Sequence, residues 1–127
     1  MTKVEMVECE RLGIYVPKTD RAEAHLRKSG APLLSVTVDV LSVDEDGLIN
    51  ELWAINLFEE INAACGSMID DYEEDMLEPE VLDKAIDVLN RKETHRHITE
   101  RMEKFLNNLL QLLQKAKDTH RPVLFIF

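Results

Sequence analysis

The sequence predicts an α+β fold, a small sheet with three to four packed helices and a dominant long C-terminal helix. Three observations predict it. Residues 94–118 repeat apolar side chains at steps of three and four, with no Gly or Pro, which is typical of a helix. Residues 34–43 alternate apolar and polar side chains, which is typical of a strand with one buried face. Residues 123–127 are all apolar, which favours a strand inside the sheet.

Length and composition favour one domain, residues 1–127. The chain has 127 residues, of which 45% are hydrophobic and 31% charged, enough for one core and too few for two. No signal-peptide pattern and no membrane-spanning apolar stretch occurs, so we expect a cytoplasmic protein. The cysteines, Cys9 and Cys65, lack a C-x-x-C spacing and are expected to be reduced, with Cys65 in the core.

The first third of the chain predicts two short strands and a helix. Residues 4–7 and 12–16 favour β-strands. Pro17 ends the second strand because it has no backbone N–H to donate to a neighbouring strand. Thr19 or Asp20 can cap a surface helix over residues 21–29. The strand at 34–43 then follows, with Leu34, Val36, Val38 and Val40 on its buried face.

The middle of the chain predicts two further helices. Residues 48–68 carry a helical apolar stripe that includes Trp53 and Ile61, and Gly66 loosens or ends that helix. Residues 70–75 are too charged to be buried and are expected to form a loop. Pro79 suits the first turn of the next helix, and Thr94 is the expected cap of the long one. The last strand, 123–127, is expected to lie beside 34–43.

The distribution of charge is the informative feature for function. Between Asp39 and Glu80 there are fourteen acidic residues and no Lys, Arg or His. That segment carries −14, and the rest of the chain, with fifteen bases and eleven acids, carries +4, which sums to the net charge of −10. Such a concentration favours a surface that steers a basic partner. Nucleic acid is not expected to bind, because its phosphates would be repelled.

Two acidic clusters and an aromatic side chain are the candidate partner-binding residues. Tyr72 is a possible aromatic anchor among the acids. The candidates are Asp44, Glu45, Asp46, Asp70, Asp71, Tyr72, Glu73, Glu74 and Asp75.

Catalytic motifs are absent from the sequence, so no enzyme activity, cofactor or metal is expected. Two alternatives stay open. Glu93, His97 and Glu100 share a helical face and could hold a metal in a helical enzyme, although no second Glu-x-x-His occurs. The chain could also be a structural adaptor that homo-oligomerises through its long helix.

The acidic segment between Asp39 and Glu80, in a small motif-free chain, resembles the immunity proteins of bacterial toxin–immunity pairs, such as those of contact-dependent growth inhibition. The resemblance implies a cytoplasmic inhibitor without chemistry of its own. Its partner would be a cognate protein toxin, such as a basic nuclease, whose active site or substrate path the acidic surface would cover. No membrane partner is implied, and a homo-oligomer is possible.

Overall fold

Strand β1 (Gly13–Pro17) is buried at every position and lies inside an antiparallel sheet. The computed structural model describes residues 13–29, 38–43, 47–70, 74–92 and 98–127. The strand predicted at 4–7 and the prediction for Cys9 lie outside these residues. The described sheet has the order β2-β1-β4-β3, where β2 is Val38–Ser42, β3 is Glu74–Leu77 and β4 is Val123–Ile126.

Five helices accompany the sheet in the described part of the chain, and the α+β prediction is confirmed. Thr19 begins the first helix as predicted, because its Oγ1 accepts a hydrogen bond from the Ala22 amide at 3.0 Å. A 3₁₀ turn at Pro79–Val81 leads into the fourth. The helices are α1 (Asp20–Ser29), α2 (Leu48–Ala54), α3 (Leu57–Cys65), α4 (Leu82–Lys92) and α5 (Glu100–Asp118).

Both faces of the sheet are covered. Alternate residues of the central strands enter two separate apolar clusters: Ile14 and Phe125 join the main core, whereas Tyr15 and Leu124 pack with Leu26 of α1. The main core also takes its buried side chains from α2, α3, α4 and α5. Because β1 and β4 meet apolar side chains on both faces, they read as continuous apolar runs in the sequence.

The long helix begins later than predicted. Thr99, not Thr94, is its N-cap: the Thr99 side chain accepts a hydrogen bond from the Met102 amide at 3.2 Å, on an extended backbone with φ −82°. The helix still carries the largest share of the core, with Met102, Leu109 and Leu113 buried. Its apolar face is therefore buried within its own chain. The hypothesis of an adaptor that homo-oligomerises through this helix would need that face to be exposed.

The single helix predicted over residues 48–68 is two helices. Ile55 and Asn56 separate α2 from α3, and Asn56 adopts a left-handed conformation with φ 61°. Asn tolerates this conformation better than most residues, which allows the helix to break here. The apolar pattern continues across the break, so the sequence predicted one helix. The predicted end at Gly66 is confirmed, with φ 71° at the C-cap. Met68, predicted on the buried stripe, lies beyond that end and is 75% exposed.

Two predictions about the strands are wrong. The last strand does not lie beside β2; it pairs with β1 through Ile14↔Phe125 and with β3 through Met76↔Leu124. Its run of apolar residues needs neighbours on both edges, which only a central position supplies. Strand β3 was not predicted, because the acidic residues at its start are typical of a loop.

The buried face predicted for β2 is wrong in part. Val38 packs against the cluster around Leu26, but Val40 is 50% exposed, while Leu41 and Val43 join the main core. Leu34 and Val36, which were predicted on the same face, lie outside the described residues. Asp39 lies on the same side of the strand as Leu41, and its carboxylate pairs with Lys115 of α5 at 2.9 Å and with Lys18 at 3.4 Å. The charge is tolerated there because both lysines reach it at the margin of the core.

Candidate protein-binding surface

Part of the predicted site lies within the described chain. Asp70 is exposed, and Asp75 is half-buried in β3. Glu74 begins the same strand. The remaining candidates, which are Asp44, Glu45, Asp46, Asp71, Tyr72 and Glu73, lie outside the described residues and stay predictions.

The loop after α3 is held by one side chain. Asn62 Oδ1 accepts hydrogen bonds from Ser67 Oγ at 2.7 Å and from the Ile69 amide at 2.8 Å. Asn62 Nδ2 donates to the Ile69 carbonyl at 3.0 Å. Ile69 is itself buried, so the loop is fixed by an apolar side chain as well as by three hydrogen bonds.

The same loop presents an apolar side chain among acids. The Asp75 carboxylate accepts hydrogen bonds from the Met68 amide and from its own strand neighbour, the Met76 amide, at 2.9 Å. The Met68 backbone is thereby fixed while its side chain stands in solvent. We call Met68, Asp70 and Asp75 the loop patch.

The charge asymmetry of the sequence is partly offset in space. Bases from outside residues 39–80 reach into the acidic segment: Arg101 pairs with Glu51 at 3.0 Å, and Lys92 pairs with Glu60. The Arg101 hydrogen bond lowers the pKa of Glu51. Several of the segment's acids are therefore structural links between elements rather than free negative charges.

Arg27 of α1 makes the most regular of these links. Its two terminal nitrogens donate to the two oxygens of Glu78, each at 2.8 Å, and its Nε donates to Glu23 at 3.0 Å. These hydrogen bonds hold the pKa of Glu78 below its usual value and raise that of Arg27. Arg121 extends the network by donating to Glu23 at 2.9 Å and to Asp20 at 2.8 Å. The network ties α1 to the segment that leads into α4.

A second group of exposed acids lies on α4 and the end of α5. Lys117 Nζ lies 2.6 Å from Asp83 Oδ1, and its pKa is raised by this hydrogen bond and by the charges of Asp83, Asp118 and Asp87. Glu80 lies 3.9 Å from the His120 ring. We call Glu80, Asp83, Asp87 and Asp118 the helix patch.

Sequence reasoning missed most of the helix patch. Residues beyond position 80 mix both signs of charge, so no run of acids stands out there. A usable signal did exist: Asp83 and Asp87 follow the four-residue step that aligns side chains on one side of a helix, and Glu80 precedes them in the 3₁₀ turn. Asp118 joins them only through the packing of α5 on α4.

The end of α3 contacts the 3₁₀ turn that leads into α4. Cys65 Sγ lies 3.6 Å from the Val81 carbonyl oxygen, one residue from the glycine that starts the loop. Burial raises the pKa of the Cys65 thiol, which leaves it in the protonated, unreactive form at neutral pH. Cys65 therefore serves packing, as predicted, although it is half-buried rather than enclosed.

The metal-binding alternative gains nothing from the described residues. Glu93 and His97 lie outside them, and Glu100 is exposed in the first turn of α5. Within the described ranges no three His, Cys, Asp or Glu side chains converge as metal ligands would. In that same part of the chain, no helix combines the length and the apolar character needed to cross a bilayer.

The fold has a solved counterpart. No family model and no curated protein matches the sequence. Among solved structures, the Neisseria DNA mimic protein DMP12 matches with a TM-score of 0.58 and 16% identity, over 93% of this chain and 100% of that one. At this identity the likeness establishes a shared fold.

This likeness overturns the predicted partners. The sequence predicted a cognate protein toxin, such as a basic nuclease, and no nucleic-acid partner. The solved structure that shares the fold is named for mimicking DNA, and this finding contradicts the predicted set of partners. The argument from phosphate repulsion bears on direct contact between this chain and nucleic acid, and not on a partner protein that itself binds nucleic acid. The resemblance to immunity proteins stays a prediction, since none of the comparisons bears on it.

Proposed function

We propose that the chain is a non-enzymatic binding protein whose acidic surface occupies the nucleic-acid-binding face of a basic protein. The carrying observation is that exposed carboxylates lie on the packed helices α4 and α5, at Asp83, Asp87 and Asp118, and at Asp70 in the loop after α3. The fold shared with a DNA mimic protein and the net charge of −10 support the same proposal.

The helix patch has the charge spacing that this function needs. Side chains three or four residues apart on a helix lie roughly 5–6 Å from each other at Cβ. Phosphates along one DNA strand advance about 3.4 Å per nucleotide along the helix axis. Asp83 and Asp87, one turn apart on α4, carry negative charge at a spacing of the same order, and Lys117 offsets part of the charge at Asp83. Lysines and arginines that bind phosphates would meet carboxylates in their place.

Electrostatic association predicts a strong response to salt. Charges at the edge of a protein interface act mainly on the association rate. Mobile ions screen the attraction between exposed charges that lie more than about 8 Å apart at physiological ionic strength. Binding should weaken steeply as salt is added, and duplex DNA should compete with this chain for the same face of the partner.

The test uses the chain immobilised on a resin, challenged with proteins that a heparin column retains from a cell lysate. We expect captured proteins to be released by added duplex DNA, and capture to fall in Asp83→Asn/Asp87→Asn. The matched control is Glu100→Gln/Glu103→Gln, which removes two exposed carboxylates from the far end of α5. Capture that resists excess duplex DNA and is equal in both variants would contradict the proposal.

A further inference from the structure

A basic side chain of this chain already lies against the acids of the helix patch. Lys117 of α5 places its Nζ 2.6 Å from Asp83 Oδ1 of α4. The hydrogen bond to Asp83 and the charges of Asp83, Asp118 and Asp87 raise the pKa of Lys117, which shows that all three carboxylates attract its ammonium group. The position that a partner's lysine would take beside Asp83 is therefore filled by a lysine of the chain itself.

The packing of α4 on α5 brings these two side chains together without enclosing them. Leu82 and Ala116, which precede Asp83 and Lys117 in the sequence, are fully buried, so the backbone of both helices is fixed at this point. The side chains of Lys117 and Asp83 are themselves 44% and 68% exposed. An ion pair between exposed side chains contributes little to stability, because water and dissolved ions can replace either partner. The Lys117 ammonium group can therefore leave Asp83 while the two helices stay packed.

We propose that Lys117 is an internal competitor of the partner: its ammonium group binds Asp83 in the free chain, and a lysine or arginine of the partner displaces it. This inference rests on the proposed function and adds to it a limit on affinity that is built into the fold. A partner cation at Asp83 gains only the difference between its own contact and the contact that Lys117 loses.

Such competition would favour strongly basic partners over weakly basic ones. A displaced Lys117 stays on α5 and repels a cation that approaches Asp83, and like charges brought close together suppress binding of unsuitable partners. A protein that offers one cation gains little against this repulsion. A protein that offers several can also bind Asp87 and Asp118, which are exposed and attract the same kind of group.

The test compares Lys117→Gln with Lys104→Gln, which removes the same charge from another exposed position of α5. The two lysines are 117 − 104 = 13 residues apart, or about 20 Å along the helix axis. Exposed charges act over about 30 Å at an ionic strength of 0.01 M, but over only about 8 Å at physiological ionic strength. An effect of net charge and an effect at Asp83 are therefore separable by salt.

The measurement is the affinity of the full chain for an oligolysine peptide at both ionic strengths. At low ionic strength both variants should bind the peptide more tightly than wild type. At physiological ionic strength Lys117→Gln alone should do so, by about two- to fivefold. In a chain that also carries Asp83→Asn, the gain from Lys117→Gln should shrink, because Lys117 no longer has that carboxylate to vacate.

The outcomes separate the competition from the acidic surface. Equal affinities of Lys117→Gln and Lys104→Gln at physiological ionic strength, or an undiminished gain beside Asp83→Asn, would overturn the competition and leave the acidic surface in place. A wild-type chain that does not bind oligolysine at low ionic strength would overturn the proposed function together with this inference. Thermal unfolding of each variant checks the fold, and a large loss of stability in Lys117→Gln would show that the pair is a structural link instead of a displaceable contact.

Discussion

At the scale of single residues, Asn62 determines whether the loop patch has a fixed shape. Its amide group donates once and accepts twice, and all three partners belong to the loop after α3. No other residue type supplies a donor and a double acceptor in this short planar form. The sequence shows Asn62 only as one polar residue on a helix, so its role could not be read from the pattern.

Asn62→Ala should lower the free energy of unfolding by about 2 kcal/mol, because it leaves the half-buried amide and carbonyl of Ile69 without partners. The loop should also become sensitive to limited proteolysis. Chemical denaturation measures the first effect and mass analysis of the fragments the second. Asn107→Ala, at an exposed position on α5, is the control; equal stability of the two variants would show that the loop is held by other contacts.

Glu78 gives stability a dependence on pH. Its pKa is lowered on folding by the Arg27 hydrogen bonds, so its contribution is present above the unfolded pKa of about 4.5 and is lost as pH falls toward the folded value. Glu78→Gln should be less stable than wild type near neutral pH, by under about 1 kcal/mol because the pair is partly exposed to solvent. The difference should shrink below pH 4.5. Denaturation curves recorded across this pH range measure the difference in free energy of unfolding between the two proteins. A difference that does not change with pH would show that the ionised Glu78 carboxylate is not the stabilising group.

At the scale of elements, the sequence predicts the helices and strands whose pattern of apolar and polar residues matches the side that is buried. The long helix and α4 follow from apolar spacing, because each has a clear buried side. Helix α1 follows from its capping residue and the last strand from its continuous apolar run. The break between α2 and α3 does not follow, since Ile55 and Leu57 are both buried and the stripe continues across the turn. Strand β3 was missed because its partner, β4, lies far along the chain, and pairing of that kind leaves no local signal.

The α2–α3 break depends on the backbone at Asn56. Asn56→Gly should leave the free energy of unfolding nearly unchanged, whereas Asn56→Ala should lower it by about 1 kcal/mol, since a β-carbon disfavours a φ of 61°. Thermal unfolding of the two variants side by side is the measurement. A more stable alanine variant would mean that the two helices can merge into one.

At the scale of the whole molecule, the acidic segment divides into two functions. Glu51, Glu60 and Glu78 pair with bases of distant elements and hold the layers together, while Asp70, Asp87 and Asp118 are exposed to solvent. Asp83 does both, since it is exposed and also pairs with Lys117 of α5. The sequence predicted the excess of negative charge and part of the loop patch. It could not predict which acids are offset, because the partners Arg27, Lys92, Arg101 and Lys115 come from distant elements.

Substitutions at two neighbouring residues of α3 test the distinction between acids that pair with a base and acids that are only exposed. Glu60→Gln should lower the free energy of unfolding by about 2 kcal/mol, because Lys92 is only 7% exposed and would lose its carboxylate partner. Glu59→Gln removes the same charge one residue earlier, at an exposed position, and should change stability by less than about 0.5 kcal/mol. Equal effects would mean that the Glu60–Lys92 pair adds nothing to the link between α3 and α4.

The central strand pair also governs when the protein can fold during its synthesis. Tyr15 pairs with Leu124, so this contact closes a loop of 124 − 15 = 109 residues, and β3 has no described strand neighbour except β4. A nascent chain that has exposed its five helices still lacks the strand between β1 and β3. β1 can pair with β2 earlier, but the four-stranded sheet is complete only once β4 has left the ribosome, and a contact of such long range slows the folding step. Until then β3 has no described strand to pair with, so Asp75, which anchors the loop after α3, takes its final place only after β4 is made.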